Sequence, residues 1–290
     1  MIHFITTFFA GDEWMEPLRD SISQHTQNFK IWATYTAPDE GSPEWLEWER
    51  HIIETHGEET SEKLKRRWVV DYDEPIDHSK IILKHKKDFH YLQREPHLPG
   101  LSPSQNHKHN LHVLTDMVLM DKETKDTDIL IWIDSDALPI APINEYIEDK
   151  LKSYPFAAIN RKEQHRPHHS SPDAFPECIF AFTTVGFWRE HDLNWDRYEN
   201  DTGCFNSYTG EPGGWLLYYF TKENIDWYRL MMTDQLWEGE DENDYVSCSV
   251  YDDIIYHHCS GSLYKIRPSC DMSLREGAKR VVLDRLSTSS

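Results

Sequence analysis

Ile129-Leu130-Ile131-Trp132-Ile133-Asp134-Ser135-Asp136 is the stretch on which the fold turns. Five apolar residues run without a polar interruption and end abruptly in two carboxylates. A strand with no polar alternation must be covered on both faces, which is the signature of a buried strand in an α/β sheet. Upstream, residues 108–120 place Leu111, Leu114, Met117 and Val118 at helical spacing, and a polar turn over 121–128 follows. Downstream, Ala137-Leu138-Pro139-Ile140 is expected to stop the strand and turn the chain. Ligands of open α/β sheets bind beyond the carboxyl ends of the strands. Two carboxylates there make an oxygen-only site suited to Mg²⁺ or Mn²⁺. A pair of solvated turn residues is the bland alternative, and Asp-x-Asp alone is weak in so acidic a chain.

Working outward, Ile2–Phe9 is rich in β-branched and aromatic residues and reads as a buried strand. Asp12 and Glu13 precede Trp14, Leu18 and Ile22, the spacing of a helix with acids in its first turn. Residues 31–36 read as a second strand, 43–65 as a charged helix with Trp45, Trp48 and Ile52 inward, and 68–72 as a third strand closing on Asp71 and Asp73. Beyond Asp136, strands are expected over 156–159, 178–183 and 254–258, and a helix over 223–232. Strands alternating with helices imply an α/β fold with a mixed, mostly parallel central sheet flanked by helices. The second half is less regular. The expected organisation is one domain spanning 1–290: a nucleotide-binding half to about residue 140, an acceptor half over about 141–270, and an extension over about 271–290 that frays at its Ser-rich end.

The 290 residues carry 51 acidic and 30 basic side chains, a formal charge of −21. Such a surface repels nucleic acid and anionic membranes. A phosphate-bearing ligand would need a local cation, which again points to a bound metal ion. The five cysteines, Cys178, Cys204, Cys248, Cys259 and Cys270, contain no Cys-x-x-Cys pair, so a structural zinc site is not expected and reduced, mostly buried thiols are. Met1-Ile2-His3 enters a strand with no basic leader, and no apolar run approaches the ~20 residues of a membrane helix. These features suggest a cytoplasmic protein with no membrane anchor.

The segment from Lys108 to Ile147 resembles the central stretch of GT-A glycosyltransferases, a helix, an apolar strand and then Asp-Ser-Asp. His257-His258-Cys259-Ser260-Gly261-Ser262-Leu263-Tyr264-Lys265 is similar to the His-x-x-Gly segment that many of them carry near the C-terminus. The resemblance implies a GT-A-like fold and transfer of a sugar from a nucleotide-diphosphate sugar to an acceptor hydroxyl, on a glycan or another molecule. It implies that Asp136 chelates Mn²⁺ or Mg²⁺, and that Asp134 approaches the metal, its bound water or the ribose. By residue match, His258 is the third protein ligand, and Gly261 and Lys265 meet the diphosphate. Adjacent histidines on a strand point to opposite faces, so only one of His257 and His258 serves.

By analogy with the fold, Thr6, Thr7 and Asp71 contact the base and ribose. Arg161, with Lys162 beside it, follows the strand after the Asp-x-Asp segment and reaches toward the sugar or phosphate. Inverting transfer needs a carboxylate to take the acceptor's proton. Asp241 is the first choice and Glu240 the second, within Trp237-Glu238-Gly239-Glu240-Asp241-Glu242. Trp215, after Gly213-Gly214, is the tryptophan best placed for acceptor stacking. His165, His168 and His169 are set aside as a second metal site because Arg166-Pro167 interrupts them.

Three other readings compete. Haloacid-dehalogenase phosphatases also place Asp-x-Asp after an apolar strand, but near the start of the chain and with Thr or Val where Leu138 stands here. A nucleotidyltransferase would need a basic, Gly-rich loop after the first strand, where this chain has Phe9-Ala10-Gly11-Asp12-Glu13. A non-catalytic nucleotide-sugar or glycan-binding protein would keep the site without turnover.

Overall fold

The computed structural model describes residues 1–9, 14–36, 50, 78–95, 103–161, 175–195, 213–237 and 247–258. In chain order these form β1 (Ile2–Phe9), α1 (Met15–His25), β2 (Phe29–Thr36), α2 (His78–His85), a 3₁₀ turn (Lys86–Asp88), β3 (Tyr91–Arg94), α3 (Pro103–Met120), β4 (Ile129–Ile133) and β5 (Ala137–Pro139). They continue with α4 (Asn144–Leu151), β6 (Phe156–Arg161), β7 (Phe175–Thr184), α5 (Val185–Glu190), α6 (Gly214–Lys222), β8 (Tyr228–Leu230), β9 (Met232–Trp237), β10 (Ser247–Tyr251) and β11 (Ile255–His257).

The central sheet has the order β3-β2-β1-β4-β7-β6-β8. Pairing is parallel from β3 through β4 and again between β6 and β8; only β7 runs against its neighbours. The expected mixed, mostly parallel α/β sheet is therefore present. The unbroken apolar run of β4 explains its central place. Ile131 and Ile133 enter one core with Phe4, Leu18, Ile22 and Phe182, while Leu130 and Trp132 enter the other with Leu111, Leu114 and Trp188. Helix α1 covers the first face; α3, α5 and α6 cover the second. Trp132 is fully buried, and its indole N–H donates to Thr115 Oγ1 at 2.9 Å, so no polar atom is stranded there.

A second, antiparallel sheet has the order β5-β11-β10-β9. Its strand β5 corrects the expectation that 137–140 merely turns the chain. The turn is confined to Asp134–Ala137, where the Ala137 N–H donates to the Asp134 carbonyl at 3.0 Å. Residues Ala137–Pro139 then pair with Ile255–His257. On the β10–β11 turn, the Asp252 carboxylate accepts from the Tyr146 and Tyr228 hydroxyls at 2.5 and 2.8 Å, tying this sheet to α4 and β8.

The helix expected over 223–232 is also corrected. The helix is α6, ending at Lys222, and 228–230 is strand. Asn224 adopts a left-handed φ of 54°, the Ile225 N–H reaches back to the Phe220 carbonyl at 2.8 Å, and Ile225 packs on the same core as Phe220. This is a Schellman stop, which the apolar spacing alone does not reveal. Strand β3 lies in a stretch that the sequence pattern did not mark. The helix expected over 43–65 and the strand over 68–72 lie outside the described residues.

Two glycines open α6. Gly213 has φ +91°, and a Cβ there would sit 1.7 Å from the Pro176 carbonyl oxygen. This Gly-Gly turn thus serves a close approach of helix to strand β7. Trp215, two residues on, stacks on Tyr219 with ring centroids 5.2 Å apart. Gly213→Ala is expected to cost at least about 2 kcal/mol, since it combines a left-handed backbone with a backbone clash. Urea unfolding of the two proteins measures this, and equal midpoints would refute the assigned role.

His3 supplies a second check. It is buried, accepts from the Trp32 indole N–H at Nδ1 (3.2 Å), and turns Nε2 to Asp128 at 3.4 Å. Burial, chiefly, holds its pKa below the usual 6.5, with Asp128 opposing. A lowered folded-state pKa means that the unfolded chain takes up the proton first. The contribution is present above the unfolded value and is lost as pH falls below it. Thermal stability should therefore drop between pH 7.5 and 5.5, and drop less in His3→Gln. Identical slopes in the two proteins would remove His3 from the account; His25 and His90, also lowered by burial, supply the remainder.

Candidate functional site

The parallel strands β1, β2 and β4 end on one edge, and Asp134-Ser135-Asp136 leaves β4 there. The Asp134 N–H donates to the Ile179 carbonyl at 2.9 Å, which locks the start of the turn to β7. Asp136 is buried, and its carbonyl accepts the His258 N–H at 3.0 Å. The β5–β11 ladder pairs Ala137 with His257, so the histidine pair arrives beside the aspartates through a strand pairing more than a hundred residues long-range.

Strand alternation then separates the two histidines. His257 turns Nε2 toward the carboxylates, 3.4 Å from Asp136 Oδ1 and 3.8 Å from Asp134 Oδ2. His258 faces the other way: its Nδ1 lies 2.6 Å from the Tyr256 hydroxyl, and its ring packs 5.0 Å from that of Trp14. Donor atoms of Asp134, Asp136 and His257 all lie within 4.8 Å of one another, and His258 joins no such group among the described residues. Two carboxylates and one imidazole are a hard donor set that fits Mn²⁺ or Mg²⁺. Within this geometry the third donor is the histidine the sequence match did not select.

A second group of side chains meets Asp134 from the opposite side. His107 of α3 places Nε2 3.4 Å from Asp134 Oδ1 and 3.5 Å from Cys178 Sγ. Its Nδ1 lies 2.6 Å from Thr7 Oγ1. Oδ1 of Asp134 is buried and accepts no hydrogen bond. Cys178 is a buried thiol without a disulfide. Burial pushes it well above its usual range, Asp134 and Glu177 add to that, and Lys108 opposes it.

Sequence reading missed His107. It precedes Leu111 by four positions and Leu114 by seven, so it shares the face that α3 turns to the sheet. A polar residue on an apolar face was the available signal. Cys178 was hidden for a different reason. The β6–β7 ladder jumps from Ala158↔Ala181 to Ile159↔Glu177. Phe180 and Phe182 enter the α1-side core, whereas Cys178 enters the α3-side core, reversing strict alternation. Such bulges commonly re-aim a side chain beside a functional site.

The remaining expected residues are placed as follows. Thr6 is fully buried on the face opposite Thr7, with no hydrogen-bond partner for its hydroxyl. Thr7 belongs to the His107 group. Arg161 ends β6, a strand parallel to β4, and so lies on the same edge as Asp134. Asp71, Glu240, Asp241, Gly261 and Lys265 lie outside the described residues, as do Lys162, His165, His168 and His169. Among the described residues no helix is long and apolar enough to cross a membrane.

No family model matches the sequence, and no curated protein matches it either. Among solved structures, the chain is similar to TarS of S. aureus, at 9% identity and a TM-score of 0.36, over 67% of this chain and 30% of that one. It is similar to the glycosyltransferase GlyE of Streptococcus pneumoniae TIGR4, at 12% identity and 0.34, over 78% and 44%. It is also similar to the galactosyltransferase LgtC, solved with donor and acceptor sugar analogues, at 7% identity and 0.41, over 99% and 95%. The chain thus spans less than half the length of the first two. At these scores the likenesses carry no weight for function.

Proposed function

We propose that the protein is a divalent-metal-dependent glycosyltransferase that moves a sugar from a nucleotide-diphosphate sugar to an acceptor hydroxyl. The observation that carries this reading is the convergence of Asp134, Asp136 and His257 at the carboxyl edge of the sheet. In so acidic a chain, a diphosphate needs a cation held at that point. Asp134 Oδ2, Asp136 Oδ1 and His257 Nε2 are the atoms that would hold it. When bound, Mn²⁺ or Mg²⁺ would supply Lewis-acid neutralisation of the charge that develops on the departing nucleoside diphosphate.

The chain's own part is positioning. The edge formed by β1, β4 and β6 orients the donor, with Arg161 at the end of β6 as the candidate cation, and the acceptor hydroxyl is brought against the anomeric carbon. Gly261 and Lys265 on the diphosphate, Asp71 on the nucleoside, and Asp241 or Glu240 as the base of an inverting reaction complete the proposal.

A panel of nucleotide sugars, screened by thermal shift and by release of nucleoside diphosphate, tests it in Mn²⁺ and in EDTA. One donor should give metal-dependent stabilisation and turnover. Asp136→Asn should abolish both without unfolding the protein, and His257→Ala should weaken Mn²⁺-dependent binding at least about tenfold, more than His258→Ala does. Undiminished transfer in EDTA would sink the metal role. Phosphate release from simple esters, with no nucleotide-sugar turnover, would favour a phosphatase instead.

A further inference from the structure

We infer that His107, Cys178 and Asp134 Oδ1 form a second cation site, selective for a thiophilic divalent ion of the zinc class, which shares Asp134 with the hard site. Two of the three donor–donor distances match the edges of a coordination sphere. Bonds of about 2.0–2.1 Å to nitrogen, 2.0–2.2 Å to oxygen and 2.3 Å to sulfur in a tetrahedron put N···O edges near ~3.4 Å and N···S edges near ~3.6 Å. The edges here are 3.4 Å from His107 Nε2 to Asp134 Oδ1 and 3.5 Å from His107 Nε2 to Cys178 Sγ. The three donors all lie within 4.8 Å of one another and come from three separate elements, α3, the end of β4 and β7.

The surroundings of the cluster support the same reading. Thr7 Oγ1 sits 2.6 Å from His107 Nδ1. When it accepts the Nδ1 proton, Nε2 is left with its lone pair facing the carboxylate and the sulfur, and without a cation the Cys178 S–H donates to it at 3.5 Å, a proton that a metal ion would replace. Outer hydrogen bonds like that from Nδ1 to Thr7 orient metal-binding histidines. Lone pair against carboxylate is repulsive without a cation between them, and Asp134 Oδ1 is buried with no hydrogen bond to satisfy it. The competing arrangement is a protonated Nε2 donating to Asp134, with Thr7 donating to Nδ1. Sulfur sets the selectivity: thiolate prefers zinc-class ions to Mg²⁺ or Mn²⁺, whereas the two-carboxylate, one-imidazole group beside it, which has no sulfur, accommodates the harder ions as well. The two oxygens of Asp134 face the two groups separately, Oδ1 toward His107 and Oδ2 toward His257. Occupation of one site therefore alters the charge available to the other. This inference is independent of the sugar-transfer reading.

Cadmium is the probe, because its bond to a thiolate gives an ultraviolet charge-transfer band. The intact chain, kept reduced with a phosphine, is titrated with Cd²⁺, and far-ultraviolet circular dichroism confirms the fold of each variant. The parent should show a saturable, high-affinity band. Cys178→Ser should lose the amplitude of one thiolate, His107→Gln should retain a folded chain but bind at least about tenfold more weakly, and His257→Gln, which removes no sulfur, should keep the amplitude. The assignment is overturned if the parent gives no such band or if Cys178→Ser keeps its full amplitude, which would mean that the thiolate belongs to Cys204, Cys248, Cys259 or Cys270. Unchanged affinity in His107→Gln overturns it as well, and leaves the protonated His107–Asp134 pair as the reading of the cluster.

Discussion

The burial of β4 on both faces governs the rest of the molecule. Leu130 and Trp132 fill one core, Ile131 and Ile133 the other, so the strand cannot slip by a residue without exchanging its side chains between the two cores. That fixed register sets where the apolar run stops. Asp134 emerges on the parity of Leu130 and Trp132, toward α3, and there meets His107. One oxygen serves that side while the other faces β11. The position of the carboxylate is thus a packing consequence, set by five hydrophobic residues.

The second half of the site depends on a different kind of constraint. Strand β5 is only three residues long, yet its pairing with β11 brings His257 to the aspartates. The pairing also sets the phase: Tyr256 and His258 share one face, where their polar atoms meet, and His257 takes the other. Which of the two histidines faces the aspartates was not legible in the sequence for this reason. It depends on the phase of a three-residue strand against a partner more than a hundred residues away. The sequence match favoured His258 through its spacing to Gly261, a local count that carries no information on facing.

Elements that bury whole apolar faces were read well. Ile2–Phe9, Ile129–Ile133 and the helix through Leu111 and Leu114 carry unbroken or periodic runs, and each lies where expected. Elements fixed by backbone chemistry were not. Strand β3 has a single buried residue, Leu92, so its pattern is weak. The region after Lys222 holds apolar residues at helical spacing, but a left-handed Asn224 ends the helix before them. Cys178 owes its facing to a ladder irregularity that no side-chain pattern encodes. Of the candidate site, the two aspartates were visible because they interrupt a hydrophobic run. His107 was not singled out, although its place on the apolar face of α3 was readable.

Charge connects these local features to the behaviour of the whole chain. A formal charge of −21 spread over 290 residues gives a surface that is screened within about 10 Å at moderate salt. It therefore does little to hold a particular ion at a particular place. The edge at Asp134 differs because part of it is withdrawn from water: Asp136 and His257 are buried and Cys178 lies among apolar side chains, while Asp134 and His107 are half-buried. In such surroundings, carboxylates facing imidazole nitrogens are tolerated when a proton or a metal ion stands between them. The two sides of Asp134 offer different partners for that positive charge, oxygen and imidazole toward β11, imidazole and sulfur toward α3. A single aspartate at the end of one buried strand thus faces two different groups, one with each carboxylate oxygen.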